Sequence, residues 1–257
     1  MKKSSIMLTA ITLALGTSGT TFADATINQS GFENYASIDQ LDIGDSTATI
    51  NQIDSSRSSA TIYQDTALNN IDATINQINT EDSTAIIDQT GVVGGTSEIN
   101  QENALSSDAT IIVSDSGSPT AYISQSGESQ TAEIDVVFGE GYASISQEGI
   151  GNSAGIVTIG LGAAEIGQSG GDNDASIWQE GNGNLAEIIQ TGNENYASIG
   201  QYGDYNDASI WQEGLGNWAD IVQYGSENHA SINQTGEYNE ASISQAGIGN
   251  IATVVQH

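Results

Sequence analysis

The sequence has no cysteine, a single proline (Pro119), three phenylalanines and only three basic residues, in a chain of 257. Without cysteine there are no disulfides and no thiolate metal sites. Lys2 and Lys3 stand at the extreme N-terminus, so Arg57 is the only basic residue beyond it. Thirty-three acidic residues bring the formal charge to −30. Such a chain lacks the lysines and arginines that neutralise a phosphate backbone, so nucleic acid is not an expected partner. The one sustained apolar stretch, from Ile6 to Leu15, is too short to span a bilayer, and an integral membrane protein is not expected. Catalytic side chains are sparse too: two histidines (His229, His257), one arginine, and many carboxylates with nothing to shape a pocket around a chosen pair. No enzyme activity, cofactor or metal centre is expected. Acidic, aromatic-poor composition is also that of disordered chains, but a regular apolar pattern argues against disorder.

The segment 1–23 reads as a secretory leader. Lys2-Lys3 supplies the charged start, Ile6 to Leu15 the apolar segment, and Thr21-Phe22-Ala23 the small residues of a cleavage site. The processed chain is expected to begin at Asp24.

Beyond the leader, the unit Ala-x-Ile-x-Gln, with Ser97 once in place of Ala, recurs with variations 21 times, from Ala25 to Ala252. The step is mostly that of Ala48 to Ala60 in the N-terminal half, and from Ala164 to Ala252 it is constant and one position shorter. Two segments follow, 24–163 with degenerate repeats and 164–257 with regular ones, expected to form one continuous solenoid. In the last eight units the residue two before Ala is always Asn (Asn173, Asn184, Asn195, Asn206, Asn217, Asn228, Asn239, Asn250). The residue four after it is always Gln (Gln179, Gln190, Gln201, Gln212, Gln223, Gln234, Gln245, Gln256). Asn, Ala, Ile and Gln thus alternate with variable residues, the period of a β-strand. The variable positions hold acids such as Asp174, Glu187, Asp207 and Asp220. Burying so many unpaired charges is prohibitive, so the Asn/Ala/Ile/Gln face is the inner one. A glycine two residues after each Gln suits a chain reversal that needs positive φ.

A five-residue strand with a six-residue turn cannot bury its own apolar face. Two units facing each other make a coil of about 22 residues, and stacked coils bury a continuous core. The expected fold is all-β: a β-solenoid of about ten two-strand coils, with two facing parallel sheets and amyloid-like cross-β stacking, about 50 Å long. Inward Asn and Gln then form core amide ladders from coil to coil. The first and last motifs, carrying Ala25, Ile27 and Gln29 and Ala252, Val254 and Gln256, are expected to be uncapped edges where a second copy of the chain adds.

Asn195-Tyr-Ala-Ser-Ile-Gly-Gln201-Tyr-Gly203 and Asn217-Trp-Ala-Asp-Ile-Val-Gln223-Tyr-Gly225 closely resemble the curlin repeat of curli fibre subunits. The resemblance covers about 24–257 and is strongest from about 164, with about twice the repeat number of the curlins compared. It implies a secreted, extracellular cell-surface fibre (fimbrium) of a Gram-negative-type bacterium, serving biofilm matrix and adhesion. The partners it implies are a homopolymer of the chain itself, a nucleator or major-subunit homologue, an outer-membrane secretion pore and periplasmic chaperones. The non-repeat export segment usual after the leader is absent, which leaves the export route open. Ice-binding and non-polymerising adhesin solenoids are the alternatives, the first through Thr47-Ala48-Thr49 and Ser59-Ala60-Thr61.

The N-terminal half departs from the pattern. Val113, Val136 and Thr158 replace Gln; Ser46, Ser58, Ser83 and Ser107 replace Asn; Pro119 and Val136-Val137-Phe138 interrupt the middle. These units are either less ordered or a subunit junction. Acidic turns (Asp42-Ile-Gly-Asp45, Asp54, Glu81-Asp82) offer oxygen ligands for Ca²⁺ but lack the Gly-Gly-x-Gly-x-Asp pattern of calcium-binding β-rolls. Trp178, Trp211, Trp218 and Tyr196 face outward, and Tyr196 and Trp218 are placed to stack across strands.

Overall fold

A computed structural model describes residues 11–16 (backbone alone), 23–41, 44–65 and 70–257. The leader expectation falls largely outside these residues; within it, Ile11–Gly16 is a strand. In chain order the strands are β1 (Ile11–Gly16), β2 (Ala23–Phe32), β3 (Tyr35–Leu41), β4 (Ser46–Ser56), β5 (Ser59–Asp65), β6 (Ile71–Ile78), β7 (Thr84–Thr90), β8 (Gly95–Glu102), β9 (Asp108–Ser114) and β10 (Thr120–Glu128). There follow β11 (Thr131–Val137), β12 (Tyr142–Ile150), β13 (Ser153–Gly171), β14 (Asp174–Asn193), β15 (Tyr196–Tyr202), β16 (Asp207–Leu215), β17 (Trp218–Ser226), β18 (His229–Glu237), β19 (Glu240–Ile248) and β20 (Ile251–Gln256).

Every pairing is parallel, and every pairing other than β12–β13, β13–β14 and β14–β15 joins strands two apart in chain order. Even-numbered strands therefore build one sheet and odd-numbered strands the facing one. The long strands β13 and β14 bend round a corner and contribute to both. The result is a β-solenoid of about ten turns.

Register follows the repeat. Ala197 pairs with Ala175 and Ala219, Ile199 with Ile177 and Ile221, and Gln201 with Gln179 and Gln223. Alternation puts these residues inside, where Ala197, Ile199 and Gln201 are buried, and turns Tyr196, Ser198 and Tyr202 outward. The core is thus two columns of Ala, one interrupted by the buried Ser97, and two of Ile, one ending on Val254, running the length of the stack. A lone coil could not exclude water from its Ile; its neighbours do so from above and below.

The division into five-residue strands and six-residue turns is corrected by the structure. The strands from β2 onward run from 6 residues in β20 to 20 in β14, and pairing continues into the corners. Gly181, Gly192, Gly203, Gly214, Gly225, Gly236 and Gly247 all have positive φ, as their position after Gln suggests. Close approach matters as much: a Cβ on Gly214 would lie 1.9 Å from the Gly236 carbonyl oxygen of the next coil. A second left-handed residue follows two positions later (Glu194, Tyr205, Gly216, Glu227), directly before the Asn.

The degenerate units, for which lower order or a junction was open, stack in the same register as the regular ones. Their longer steps are absorbed at corners with two left-handed residues, as at Asp54 and Arg57 or Asn79 and Asp82. Between those two sits one extra inward residue, Ser55, Thr80 or Ala104, each buried. Beside it Ser56, Glu81, Leu105 and Glu128 form a narrow third column of parallel bridges. Pro119 stands at a corner and needs no N–H there; its carbonyl accepts the Thr96 N–H. Val136 simply extends the apolar core, fully buried.

Candidate functional site: amide ladders and open edges

The Gln positions of the even sheet form an unbroken ladder. Gln29, Gln52, Gln77, Gln101, Gln125, Gln147, Gln168, Gln190, Gln212 and Gln234 each donate from Nε2 to Oε1 of the next, ending on Gln256, at 2.6–3.0 Å. The other N–H crosses the core: Gln212 Nε2 donates to the Tyr196 carbonyl at 2.9 Å, and Gln234 Nε2 to that of Trp218 at 3.0 Å. Each amide therefore ties its coil to the next and one sheet to the other. The sequence reading placed the ladder only from Gln179 onward. The seven earlier glutamines of this sheet were readable in the same motif position, but their column appears only once the units are sorted into two sheets.

The odd sheet differs. Gln40 donates to Gln64, and Gln64 to Gln89, at 2.8 and 2.9 Å. Val113, Val136 and Thr158 then interrupt the column. Gln89 Nε2 turns instead to Ser97 Oγ at 2.8 Å. The ladder resumes from Gln179 through Gln201 and Gln223 to Gln245. At the break, Thr158 Oγ1 and Gln179 Oε1 are buried without a partner.

Asn ladders line the corners. In one, Asn173, Asn195, Asn217 and Asn239 each donate from Nδ2 to Oδ1 of the Asn one coil earlier, at 3.0 Å. That ladder starts at Asn152, a rung absent from the sequence-based set. In the other, Asn206, Asn228 and Asn250 do the same, ending on Asn184. The same Oδ1 also accepts the backbone N–H of the later Asn, as in Asn217 N–H to Asn195 Oδ1 at 3.1 Å. An Nδ2 also reaches a turn glycine carbonyl, Asn195 to Gly214 at 3.1 Å.

The two ladders point in opposite directions: Gln donates toward the C-terminal end and Asn toward the N-terminal end. The C-terminal face thus presents Gln N–H donors and Asn Oδ1 acceptors, and the N-terminal face the complement. On the C-terminal face, β19 and β20 have no strand beyond them among the described residues, and Ala252, Val254 and Gln256 are only half-buried. The sequence-based edge set omitted β19, with Ala241, Ile243 and Gln245. On the N-terminal face, Ala25, Ile27 and Gln29 of β2 are likewise half-buried. The odd sheet is different there, because β1 pairs along β3 with Leu15 opposite Gln40. Leucine has no amide to donate, and Gln40 Oε1 is buried without a partner.

Outside, Tyr196 and Trp218 stack with centroids 6.0 Å apart and planes at 5°. Tyr202 and Tyr224 stack more closely, at 4.9 Å and 12°, a pair the sequence reading missed although both follow Gln in its repeat. An outward Asn ladder, Asn28 to Asn51 to Asn76 to Asn100 at 2.7–2.8 Å, was missed as well. Thr47 and Ser59 fall in opposite sheets, so the two Thr-bearing motifs do not share one flat face. Residues 42 and 43 of the first acidic turn lie outside the described residues. In the third, Glu81 and Asp82 are held by Arg57 at 2.5 and 2.6 Å. That guanidinium holds the Asp82 carboxyl below the usual carboxylate range. Among the described residues, no group of three or more His, Asp or Glu is placed to hold a metal ion, and no helix is long and apolar enough to cross a membrane.

Identical amides, alanines and isoleucines in columns, closed by glycine corners, define a structural protein of the stacked-coil, amide-ladder type. Its units match the curlin associated repeat six times, over 23–53, 163–192, 181–214, 192–225, 206–236 and 225–257. The chain belongs to the curlin family, with extra repeats, and that membership implies a structural fibre subunit of the curli type. No curated protein matches the chain.

Proposed function

We propose that this chain is secreted, loses its leader after Ala23, and polymerises head-to-tail outside the cell into a cross-β fibre of the biofilm matrix that also serves adhesion. The observation that carries this is the complementarity of the two faces: open parallel edges with Gln donors and Asn acceptors on one, and the reverse on the other. A parallel edge with unmatched ladder rungs is a template for another copy. The curlin resemblance supports export through an outer-membrane pore with periplasmic chaperones. It also supports a related subunit as nucleator or as the major component. Dilution of the processed chain from denaturant is expected to give Thioflavin-binding fibres, and fragments of those fibres are expected to abolish the lag. A chain that stays monomeric at high concentration contradicts polymerisation and favours the adhesin alternative. Thermal hysteresis from the monomer favours ice binding.

A further inference from the structure

The first and last strands of the repeat region lie in the same sheet. From β2 to β20 the repeat makes 21 half-coils, one per Ala-x-Ile-x-Gln motif. An odd number starts and finishes in the even sheet. Stacking a second copy in the same orientation pairs its β2 on β20 but leaves a strand-wide gap between its β3 and the first copy's β19. We propose, resting on the head-to-tail reading above, that each processed subunit is turned by half a revolution about the fibre axis relative to the one before it. The copy's β2 then pairs with β19, and its β3 with β20.

Four features of the chain fit this seam. Ala25, Ile27 and Gln29 fall opposite Ala241, Ile243 and Gln245, while Ala36, Ile38 and Gln40 fall opposite Ala252, Val254 and Gln256, so both columns continue through it. Gln256 donates one N–H to the Glu240 carbonyl. By the rule every inner rung follows, its other N–H points along the stack, where the seam places Gln40 Oε1, the buried acceptor that β1 leaves without a partner. The corner between β2 and β3 is of the C-terminal type rather than that of its neighbours. Gly31 has φ of 119° and Glu33 of 55°, followed by Asn34. It therefore matches the Gly247-Ile248-Gly249-Asn250 corner on which the seam sets it, where Asn250 Oδ1 faces the Asn34 backbone N–H. Finally, the curlin repeat match, absent between 54 and 162, is present at 23–53. The first coil thus carries the same family repeat pattern as the coils at the far end of the chain.

The chain has no natural cysteine, so disulfide trapping reads the seam directly. The half-turn places Asn28 beside Ser244 of the adjoining copy, whereas same-orientation stacking places it beside Val255. Fibres of the processed chain carrying N28C and S244C are expected to oxidise to a ladder of covalent oligomers. Fibres carrying N28C and V255C are expected to stay monomeric on a denaturing gel. The opposite result, or fibres in which neither pair cross-links, overturns the half-turn and leaves fibre formation standing; an unsubstituted chain that makes no fibre removes both. Cryo-microscopy of unsubstituted fibres gives the same answer without substitution: a rotation per subunit offset by half a revolution from the accumulated sheet twist supports the seam, and one set by the twist alone overturns it.

Discussion

A glutamine at an inward position is costly unless both faces of its amide are met, and in the even sheet every rung between Gln29 and Gln256 has a glutamine partner on both sides. Removing one rung strands the donor below and the acceptor above. Gln212→Leu is therefore expected to destabilise by about 1–3 kcal/mol, read as a lower denaturant midpoint. Val113→Leu, where the ladder is already broken and apolar, is expected to cost less. Glycine makes a similar contrast. Gly214→Ala needs an L-residue at φ 130° with its Cβ against the Gly236 carbonyl, and is expected to cost about 2 kcal/mol or more. Gly200, without positive φ and with only the Tyr202 ring near, is expected to accept Ala with little change in midpoint. Three carboxyls set a pH dependence. Partial burial raises Asp135, Asp174 and Asp220 above the ordinary value of 3.8, with Glu133 adding to the effect at Asp135. The folded chain then binds these protons more tightly than the unfolded one. Their contribution is most favourable below the ordinary value and is lost as pH rises through the raised values. Replacing all three by Asn is expected to raise the denaturation midpoint at neutral pH and to flatten its rise on acidification; an unchanged profile contradicts this.

Among the elements, the strands were legible because period-2 alternation leaves one face that can be buried. Ala197, Ile199 and Gln201 could be placed inward from the acids between them. The corners were legible only at their glycines. The second left-handed position carries Glu194, Tyr205 or Glu227, residue types that give no local signal, so it appears only in the backbone. The assignment of units to two sheets also needed coordinates, because unequal steps between successive units in the N-terminal half hide which unit lies above which. This is why the seven earlier rungs of the even Gln ladder and the Asn28–Asn100 ladder escaped, while the Tyr196–Trp218 stack, two equal steps apart in the regular half, did not. The interruption at Val113, Val136 and Thr158 has an element-scale consequence. Coils held by one Gln column instead of two open more easily, so amides of β9 and β11 are expected to exchange with solvent faster than those of β15 and β17. Uniform protection along the chain contradicts this.

For the whole molecule, the processed chain carries 33 acidic residues against Arg57, a formal charge of 1 − 33 = −32, most of it on the outward positions of a narrow stack. Bringing two such stacks end to end is opposed by repulsion that salt screens, so elongation is expected to accelerate with ionic strength; a rate indifferent to salt counts against it. The central claim is that coils within one chain and coils between chains are the same kind of contact. Mass per unit length of the assembled fibre tests this most directly. A stack of solenoids, about ten coils each, holds one chain in roughly 50 Å of fibre. A fibril in which extended chains stack residue on identical residue holds one chain in each strand spacing of about 4.8 Å, a mass per length some tenfold higher. The lower value is the one this structure predicts, and the higher value would contradict it.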